Sequence, residues 1–183
     1  MTFFEKIQPN MTFSGLNAYY RQKLAGRTGN ALWQTLAGAK ALHAALVSQT
    51  GKPLSSFEIC ENKHGKPGFS NSPGLFFNIS HSGGMAVCEL DSVPVGVDLQ
   101  EIRPHSGALA KKVCSPEELK LLQSASDPEE MFIRLFARRE SYYKMLGLPL
   151  RLRTDLEETS CSFDISRVKF NEYTYMLSIC KRA

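Results

Sequence analysis

What this chain lacks narrows it first. No stretch approaches the roughly 18 uninterrupted apolar residues that a membrane-spanning helix needs. The start, Met1-Thr-Phe-Phe-Glu-Lys-Ile-Gln-Pro-Asn10, interrupts its apolar residues with charge, so no signal peptide is read there and a cytoplasmic protein is expected. Cysteine is scarce and unpatterned: Cys60, Cys88, Cys114, Cys161 and Cys180 are odd in number and show no C-x-x-C spacing. That argues against a disulfide framework or a zinc site and for thiols in a reducing compartment. The net charge of +4 is too small and too dispersed for nucleic-acid binding, and it leaves phosphates or an acidic partner as the favoured ligands. There is no low-complexity run and no residue-level repeat, so a duplication, if present, is structural.

What is there is ordinary globular material: 43% hydrophobic with 22% charged, over 183 residues, enough for one domain or two small ones with a stable core. Residues 12–26 read as a helix with a basic end, broken by Gly26 and Gly29. A second helix runs from about Asn30 to Ser48, with Leu32, Leu36, Ala39, Leu42, Ala45 and Leu46 on its buried side, and stops at Gly51-Lys52-Pro53. Phe57–Cys60 is a short strand, and Lys63–Gly68 a glycine- and proline-containing loop. Strands follow at Leu75–His81, Met85–Leu90 and Val93–Ile102. The two-residue turn Asp91-Ser92 implies that the last two form an antiparallel hairpin.

Ser115-Pro116-Glu117-Glu118 is a helix start with an N-cap, a first-position proline and a capping glutamate. Asp127-Pro-Glu-Glu130 repeats that logic and opens a long helix that Gly147 and Pro149 end. Two strands, Ser162–Phe170 and Tyr173–Cys180, close the chain. Helices, strands, helices, strands in that order predict an α+β fold of two comparable halves with antiparallel sheets, residues 1–95 and 96–183.

Three places could carry chemistry. On the long helix, Glu140 and Lys144 stand one turn apart beside the apolar stripe of Phe132, Leu135, Phe136, Tyr143 and Leu146. By spacing alone they are an i,i+4 ion pair worth about 0.2–0.5 kcal/mol. On the strand Val93–Ile102, alternation places Val95, Val97 and Leu99 on one face and Gly96, Asp98 and Gln100 on the other. Glu101 points away from Asp98. A solvent-facing Asp and Gln on a half-exposed sheet is the bland account of that pattern. Finally, Phe77-Asn-Ile-Ser-His-Ser-Gly-Gly84 ends a strand in small donors, a histidine and two glycines, an arrangement able to approach a phosphate closely. A lone histidine at a strand end is otherwise a satisfied polar residue.

Taken in order, Gly65-Lys66-Pro67, Phe77-Asn-Ile-Ser-His-Ser-Gly83, Gly96-Val97-Asp98 and Arg139-Glu140-Ser141 with Lys144 resemble the successive signatures of the Sfp-type 4′-phosphopantetheinyl transferases. Thr35-Leu-Ala-Gly38 resembles the family's N-terminal helix segment, so the similarity covers about residues 33–150. It implies a fold of two pseudo-twofold halves. The activity it implies moves the phosphopantetheine arm of coenzyme A onto a serine of an apo carrier protein and releases adenosine 3′,5′-bisphosphate. By that resemblance Asp98, Glu140 and Gln100 hold Mg²⁺, with Mn²⁺ as an alternative. Glu140 acts as or orients the base, and Lys144 stabilises or protonates the leaving phosphate. Lys66, Ser80 and His81 match positions that hold the coenzyme A phosphates. Thr35 and Lys23 match contacts to the 3′-phosphate, with Arg21 or Arg27 as substitutes for Lys23.

The implied partner is a carrier protein with an acidic helix beside its serine. Arg134, Arg138, Arg151 and Arg153, with exposed Met145 and Leu148, are candidate contacts to it. A monomer is expected, with no nucleic-acid or membrane partner and the site where the halves meet. The sequence departs from the family in having Gln100 where many relatives have a third acid, Phe136 for the usual Trp, and Arg139 for the usual Lys. Gln100 removes one negative charge from the metal shell, so weaker Mg²⁺ affinity is expected. The competing reading is a non-catalytic coenzyme A- or carrier-binding homologue whose metal binding is impaired by Gln100.

Overall fold

The computed structural model describes residues 1–154, 156 and 160–183. Two units of one topology follow each other. The first begins with β1 (Thr2–Lys6), α1 (Ala18–Leu24) and α2 (Gly29–Thr50). A 3-10 turn at Leu54–Ser56 leads to a small hairpin of β2 (Ile59–Glu61) and β3 (Pro67–Phe69), then to β4 (Phe76–Ser82) and β5 (Met85–Asp91). The second runs β6 (Val95–Glu101), α3 (Gly107–Val113), α4 (Pro116–Ser124), α5 (Pro128–Leu146), β7 (Cys161–Phe170) and β8 (Tyr173–Arg182). Each unit forms an antiparallel sheet whose last strand sits in the middle, β1-β5-β4 and β6-β8-β7. This is the expected α+β architecture of two similar halves with long packed helices. Among the described residues no helix is long and apolar enough to cross a membrane.

Three apolar clusters order the layers. Leu42, Ala45 and Leu46 of α2 pack on Phe77, Cys88 and Leu90 of the first sheet. Val95, Val97 and Leu99 of β6, with Leu177 and Ile179 of β8, meet Met85 and Val87 of β5 between the sheets. On the far side, Phe132, Leu135 and Ala137 of α5 pack with Met176 and with Val113 of α3. The alternation in β6 therefore has both faces buried: the Val/Leu face against the first sheet, the Gly96/Asp98 face against α5.

Several expectations need correction. The Asp91-Ser92 turn does not make a hairpin, because β6 pairs with β8 and not with β5. Its amides at Val97, Leu99 and Glu101 are taken instead by the side chains of Asn78, Ser80 and Ser82 on β4, at 2.8, 3.3 and 2.9 Å. The first helix starts only at Ala18, since Asn17 caps it by accepting from the Tyr20 amide at 3.1 Å. Among the strands and α-helices, three escaped the sequence: β1, which pairs with β5 from Thr2↔Glu89 to Lys6↔Met85, the short β3, and the short α3. The loop at Lys63–Gly68 is the turn and second strand of the β2–β3 hairpin.

The long helix ends as the sequence implies. Asp127 caps its start by accepting from the Glu130 amide. At its other end Gly147 has φ of 66°, with Gly147 N–H donating to the Lys144 carbonyl and Leu148 N–H to the Tyr143 carbonyl. Those paired bonds are a Schellman motif, which a non-glycine residue at this φ would strain.

Candidate active site

The site is built where β4, β6 and α5 converge. Asp98 projects from β6 towards α5 and is 1% exposed, so it is not the solvent-facing carboxylate of the bland account. Burial of a carboxylate is costly unless its oxygens are engaged, and here both are. Oδ1 accepts from Ser80 Oγ at 2.8 Å and from Lys144 Nζ at 2.6 Å, and Oδ2 accepts from Gln100 Nε2 at 2.8 Å. Ser80 Oγ also accepts from Lys144 Nζ at 3.1 Å.

Lys144 reaches this point because α5 lies directly on β6. A Cβ at Gly96 would stand 2.0 Å from the Ser141 carbonyl oxygen and 2.3 Å from the Met145 amide nitrogen, so only glycine admits the contact. The space beside Gly96 holds helix backbone. Ser141 Oγ and Ser178 Oγ, 2.8 Å apart, complete the close approach one strand over.

Glu140 is the looser member. Its Oε2 lies 3.9 Å from Lys144 Nζ, well beyond the Asp98–Lys144 distance. The i,i+4 pair read from spacing is thus the weaker of two contacts, and the lysine's principal partner comes from a strand 46 residues away in sequence. Burial raises the Glu140 carboxyl above its ordinary value, with Asp98 adding to the rise and Lys144 opposing it. Loss of surrounding water, and then the Lys144 ammonium, hold the His81 imidazole below its ordinary value although the residue keeps exposed surface; Asp98 acts the other way. The structure therefore brings together Asp98, Gln100, Ser80, Lys144 and Glu140, with His81 within electrostatic reach.

Lys66 lines the same cleft as Lys144, about 230 Å³ in volume, together with His64, Pro67, Asn78 and Tyr143. Its ammonium, however, donates to the carbonyls of Met145 and Val95, each at 3.0 Å. Asn62 of the same hairpin donates to the Gly147 carbonyl at 3.1 Å. The Gly-Lys-Pro loop of the first unit thus caps the C-terminus of the helix that carries Glu140 and Lys144, where a cation also suits the helix dipole. Burial pushes the Lys66 amine down to about 8, with Arg182 contributing.

Lys23 and Thr35 lie elsewhere. Lys23 Nζ donates to Tyr19 Oη at 2.7 Å and to Glu61 Oε1 at 2.8 Å. Thr35 Oγ1 accepts from Arg27 at 3.1 Å, so the substitute cation, not Lys23, is the one beside Thr35. Gly38, one turn further along α2, packs against Ile79 of β4, 2.9 Å from a notional Cβ. The next residue on that strand face is His81.

Arg139, left open by the sequence, is 1% exposed and points away from the cleft. It donates to Glu118 Oε2 at 2.6 Å and to the carbonyls of Arg151 and Thr154. Met145 is buried at 4% exposure and cannot be a surface contact, whereas Leu148 is 41% exposed. Sequence reasoning missed Asn78 and Ser82 as side chains that hold β6. Their signal was present: short polar residues at every second position of β4, on the face opposite Phe77 and Ile79.

Residues 94–179 match the family model described as the 4′-phosphopantetheinyl transferase superfamily. The matched segment begins just before β6 and carries Asp98, Gln100, Glu140 and Lys144. A 4′-phosphopantetheinyl transferase of Bacillus subtilis is 34% identical over 125 residues, covering 67% of this chain and 55% of the relative. The transferase Sfp of Bacillus subtilis strain 168 is 31% identical over 124 residues, with the same coverage of 67% and 55%. AcpT of Escherichia coli O157:H7 is 37% identical over 108 residues, covering 56% of this chain and 54% of the relative. The chain spans about half the length of these curated relatives. The holo-[acyl-carrier-protein] synthase of Thermotoga maritima superimposes with a TM-score of 0.37 and 20% identity, over 50% of this chain and 64% of that one.

Proposed function

We propose that the protein transfers the 4′-phosphopantetheine group of coenzyme A to a serine hydroxyl of an apo carrier protein, releasing adenosine 3′,5′-bisphosphate. The observation that carries the reading is the buried Asp98 carboxylate, clasped by Ser80 and Lys144 with Glu140 alongside, inside the segment that matches the transferase superfamily.

The donor set fits Mg²⁺. Asp98 and Glu140 are hard carboxylate ligands, and Gln100, whose amide nitrogen faces Asp98, has its carbonyl oxygen free of that bond. Mg²⁺ takes one or two carboxylates plus substrate oxygens and water. Bound by these three residues, the ion, or Mn²⁺ in its place, would neutralise charge on the diphosphate. The rest of the chemistry falls to the chain. Attack of the serine oxygen on the phosphorus that bears pantetheine forms the new P–O bond and breaks the bond to the bridging oxygen of the diphosphate. The serine proton passes to Glu140, whose carboxyl burial holds above its ordinary value and so makes a stronger base. Charge left on the departing bridging oxygen is met by the Lys144 ammonium, which can also protonate it.

Ser80 and His81 face the phosphates from the first unit. Thr35 with Arg27 would take the 3′-phosphate in preference to Lys23, whose ammonium is committed to Tyr19 and Glu61. Lys66 contributes by fixing the end of α5 and lining the cleft. In this reading the first unit supplies coenzyme A contacts and the second the metal and proton-transfer residues. The carrier is met by the cationic surface of Arg134, Arg151 and Arg153. A cavity of about 480 Å³ beside Gln100, lined by Arg103, His105, Leu109, Phe132 and Phe136, would receive an apolar residue of its acidic helix.

Incubation with coenzyme A, Mg²⁺ and apo carrier proteins, read by mass for the added phosphopantetheine, tests the proposal. Transfer that disappears in Glu140→Gln supports it. Absence of transfer to any of several fatty-acid, polyketide and peptide-synthetase carriers overturns it.

A further inference from the structure

The contact that least resembles a site waiting for a metal is the one between Lys144 and Asp98. A 1%-exposed carboxylate would be expected to hold the divalent ion, yet its Oδ1 is in contact with an ammonium at 2.6 Å. The other oxygen is engaged by the Gln100 amide at 2.8 Å, and Glu140, the second prospective ligand, lies 3.9 Å from the same ammonium. One lysine therefore already occupies the place of a cation at Asp98 and stands next to Glu140, the two carboxylates that a metal would use. An ammonium and a divalent cation repel, and both cannot share Asp98 Oδ1 at contact distance in a poorly solvated pocket.

We propose that Lys144 is the resident cation of this pocket in the absence of substrate, that a divalent ion can engage Asp98 only after Lys144 leaves it, and that the diphosphate of the substrate draws it away. The inference rests on the reading of Asp98 and Glu140 as metal ligands. Lys144 is suited to the exchange. Its side chain is 28% exposed and has four rotatable bonds, so it can swing, whereas Asp98 on β6 cannot. A diphosphate entering the cleft that Lys144 lines offers anionic oxygens in place of the one it gives up. Ser80 Oγ, which bonds to both Asp98 and Lys144, remains to hold the carboxylate during the exchange. Metal and diphosphate binding are thereby coupled: each is weak alone, and each strengthens the other through the position of one side chain.

The test measures Mn²⁺ binding by the loss of the free-ion electron paramagnetic resonance signal, with and without saturating coenzyme A. The proteins compared are the wild type, Lys144→Met, Lys144→Gln and the charge-retaining Lys144→Arg. The two neutral variants are expected to bind Mn²⁺ at least about tenfold more tightly than wild type when coenzyme A is absent, and to lose a similar factor of the gain that coenzyme A confers. Lys144→Arg should stay within about threefold of wild type. Circular dichroism establishes which variants fold, and either neutral variant suffices. Unchanged or weaker Mn²⁺ binding in a folded neutral variant without coenzyme A overturns the inference, as does failure of every form to bind Mn²⁺ under both conditions. Transfer to a carrier is not read in this experiment. A protein that transfers nothing but shows the gain loses the proposed function and keeps the coupling; one that transfers without the gain does the reverse.

Discussion

Each unit of the molecule joins a lysine of its long helix to a carboxylate of its first strand, and only one of the two pairs has the makings of a site. In the first unit Lys40 of α2 meets Glu5 of β1 at 2.5 Å, with both side chains about one-third exposed. In the second, Lys144 of α5 meets Asp98 of β6 at 2.6 Å, and the carboxylate is 1% exposed. The topology is shared; the surroundings are not. β1 is an edge strand, and Glu5 keeps 28% of its side-chain surface exposed. β6 lies at the junction, where β4 of the other unit contributes Ser80 to the same carboxylate. A strand–helix ion pair is what this β-α-β-β unit readily makes. Burial and a partner from the other unit turn one copy into a charged pocket.

The units also differ in how helix and sheet approach. In the first, small residues lie on the helix: Gly38, Ala39 and Ala41 let α2 down onto bulky strand residues such as Ile79. In the second, the small residue is on the strand, Gly96, and the helix brings Tyr142, Tyr143 and Met145. Gly96→Ala is therefore the most damaging single change expected. Its Cβ would meet backbone of α5, which cannot move alone, and a loss of about 3 kcal/mol or more is expected by chemical denaturation, with unfolding outright as the extreme. Gly38→Ala meets the Ile79 Cγ2 methyl at 2.9 Å, a stiff β-branched side chain but not backbone, so a smaller loss of about 1–2 kcal/mol is expected. Equal losses at the two positions would dissolve the contrast.

Next in size is Ser80→Ala. It removes the acceptor of the Leu99 amide and a donor to Asp98, leaving buried polar groups unsatisfied at the seam between the units. A stability loss of about 1–3 kcal/mol is expected. Ser82→Ala, on the same face but at the partly exposed end of β4, removes only the acceptor of the Glu101 amide. It should cost less in the same unfolding measurement. A reversed order would place the strength of the seam away from the candidate site.

Much of this was legible because it is local. Caps at Ser115 and Asp127, the stop at Gly147 and the alternation of β6 are set by neighbours within a few residues, and the structure places helices and strands accordingly. The partner of a strand is not local. Asp91-Ser92 has a hairpin's length, but β6 pairs with β8 of the second sheet and meets β4 through side chains such as Asn78. β1 was invisible because five residues carrying Glu5 and Lys6 show little periodicity until β5 is beside them. The same limit governs the site. The spacing of Glu140 and Lys144 could be read, and the one-turn pair exists at 3.9 Å, but the lysine's nearer contact is to another element. Lys66 reads as a solvated loop charge, and only the folded chain sets it on the carbonyls of Val95 and Met145.

A pH profile probes the pocket without disturbing the fold. Burial raises Glu140, so it holds its proton to higher pH than an exposed glutamate does. If the reaction needs the ionised form, kcat/KM should climb with pH through a limb lying above the ordinary value of 4.5, then level off once Glu140 is ionised. Lys144 is the neighbour that opposes the rise. Lys144→Met should therefore shift the limb to still higher pH in whatever activity remains. A shift to lower pH would mean that the limb belongs to another group. No comparable limb is expected from Glu5, whose variants should leave the profile where it stands.

The smallest effect expected is the one that makes the comparison sharpest. Glu5→Gln breaks the Lys40 pair in the first unit, but both partners keep about a third of their surface exposed and lose little by separating. Water-accessible pairs of this kind contribute about 0–1 kcal/mol, so unfolding midpoints should barely move, and coenzyme A affinity measured by calorimetry should not change. Asp98→Asn is the matching substitution in the second unit. It leaves Lys144 facing a neutral amide and takes away a prospective metal ligand, so coenzyme A-dependent Mn²⁺ binding should fall by at least about tenfold. The two substitutions make the same chemical change, carboxylate to amide, opposite a lysine on the equivalent helix. If both were silent, burial at the junction would not be what separates the two ion pairs.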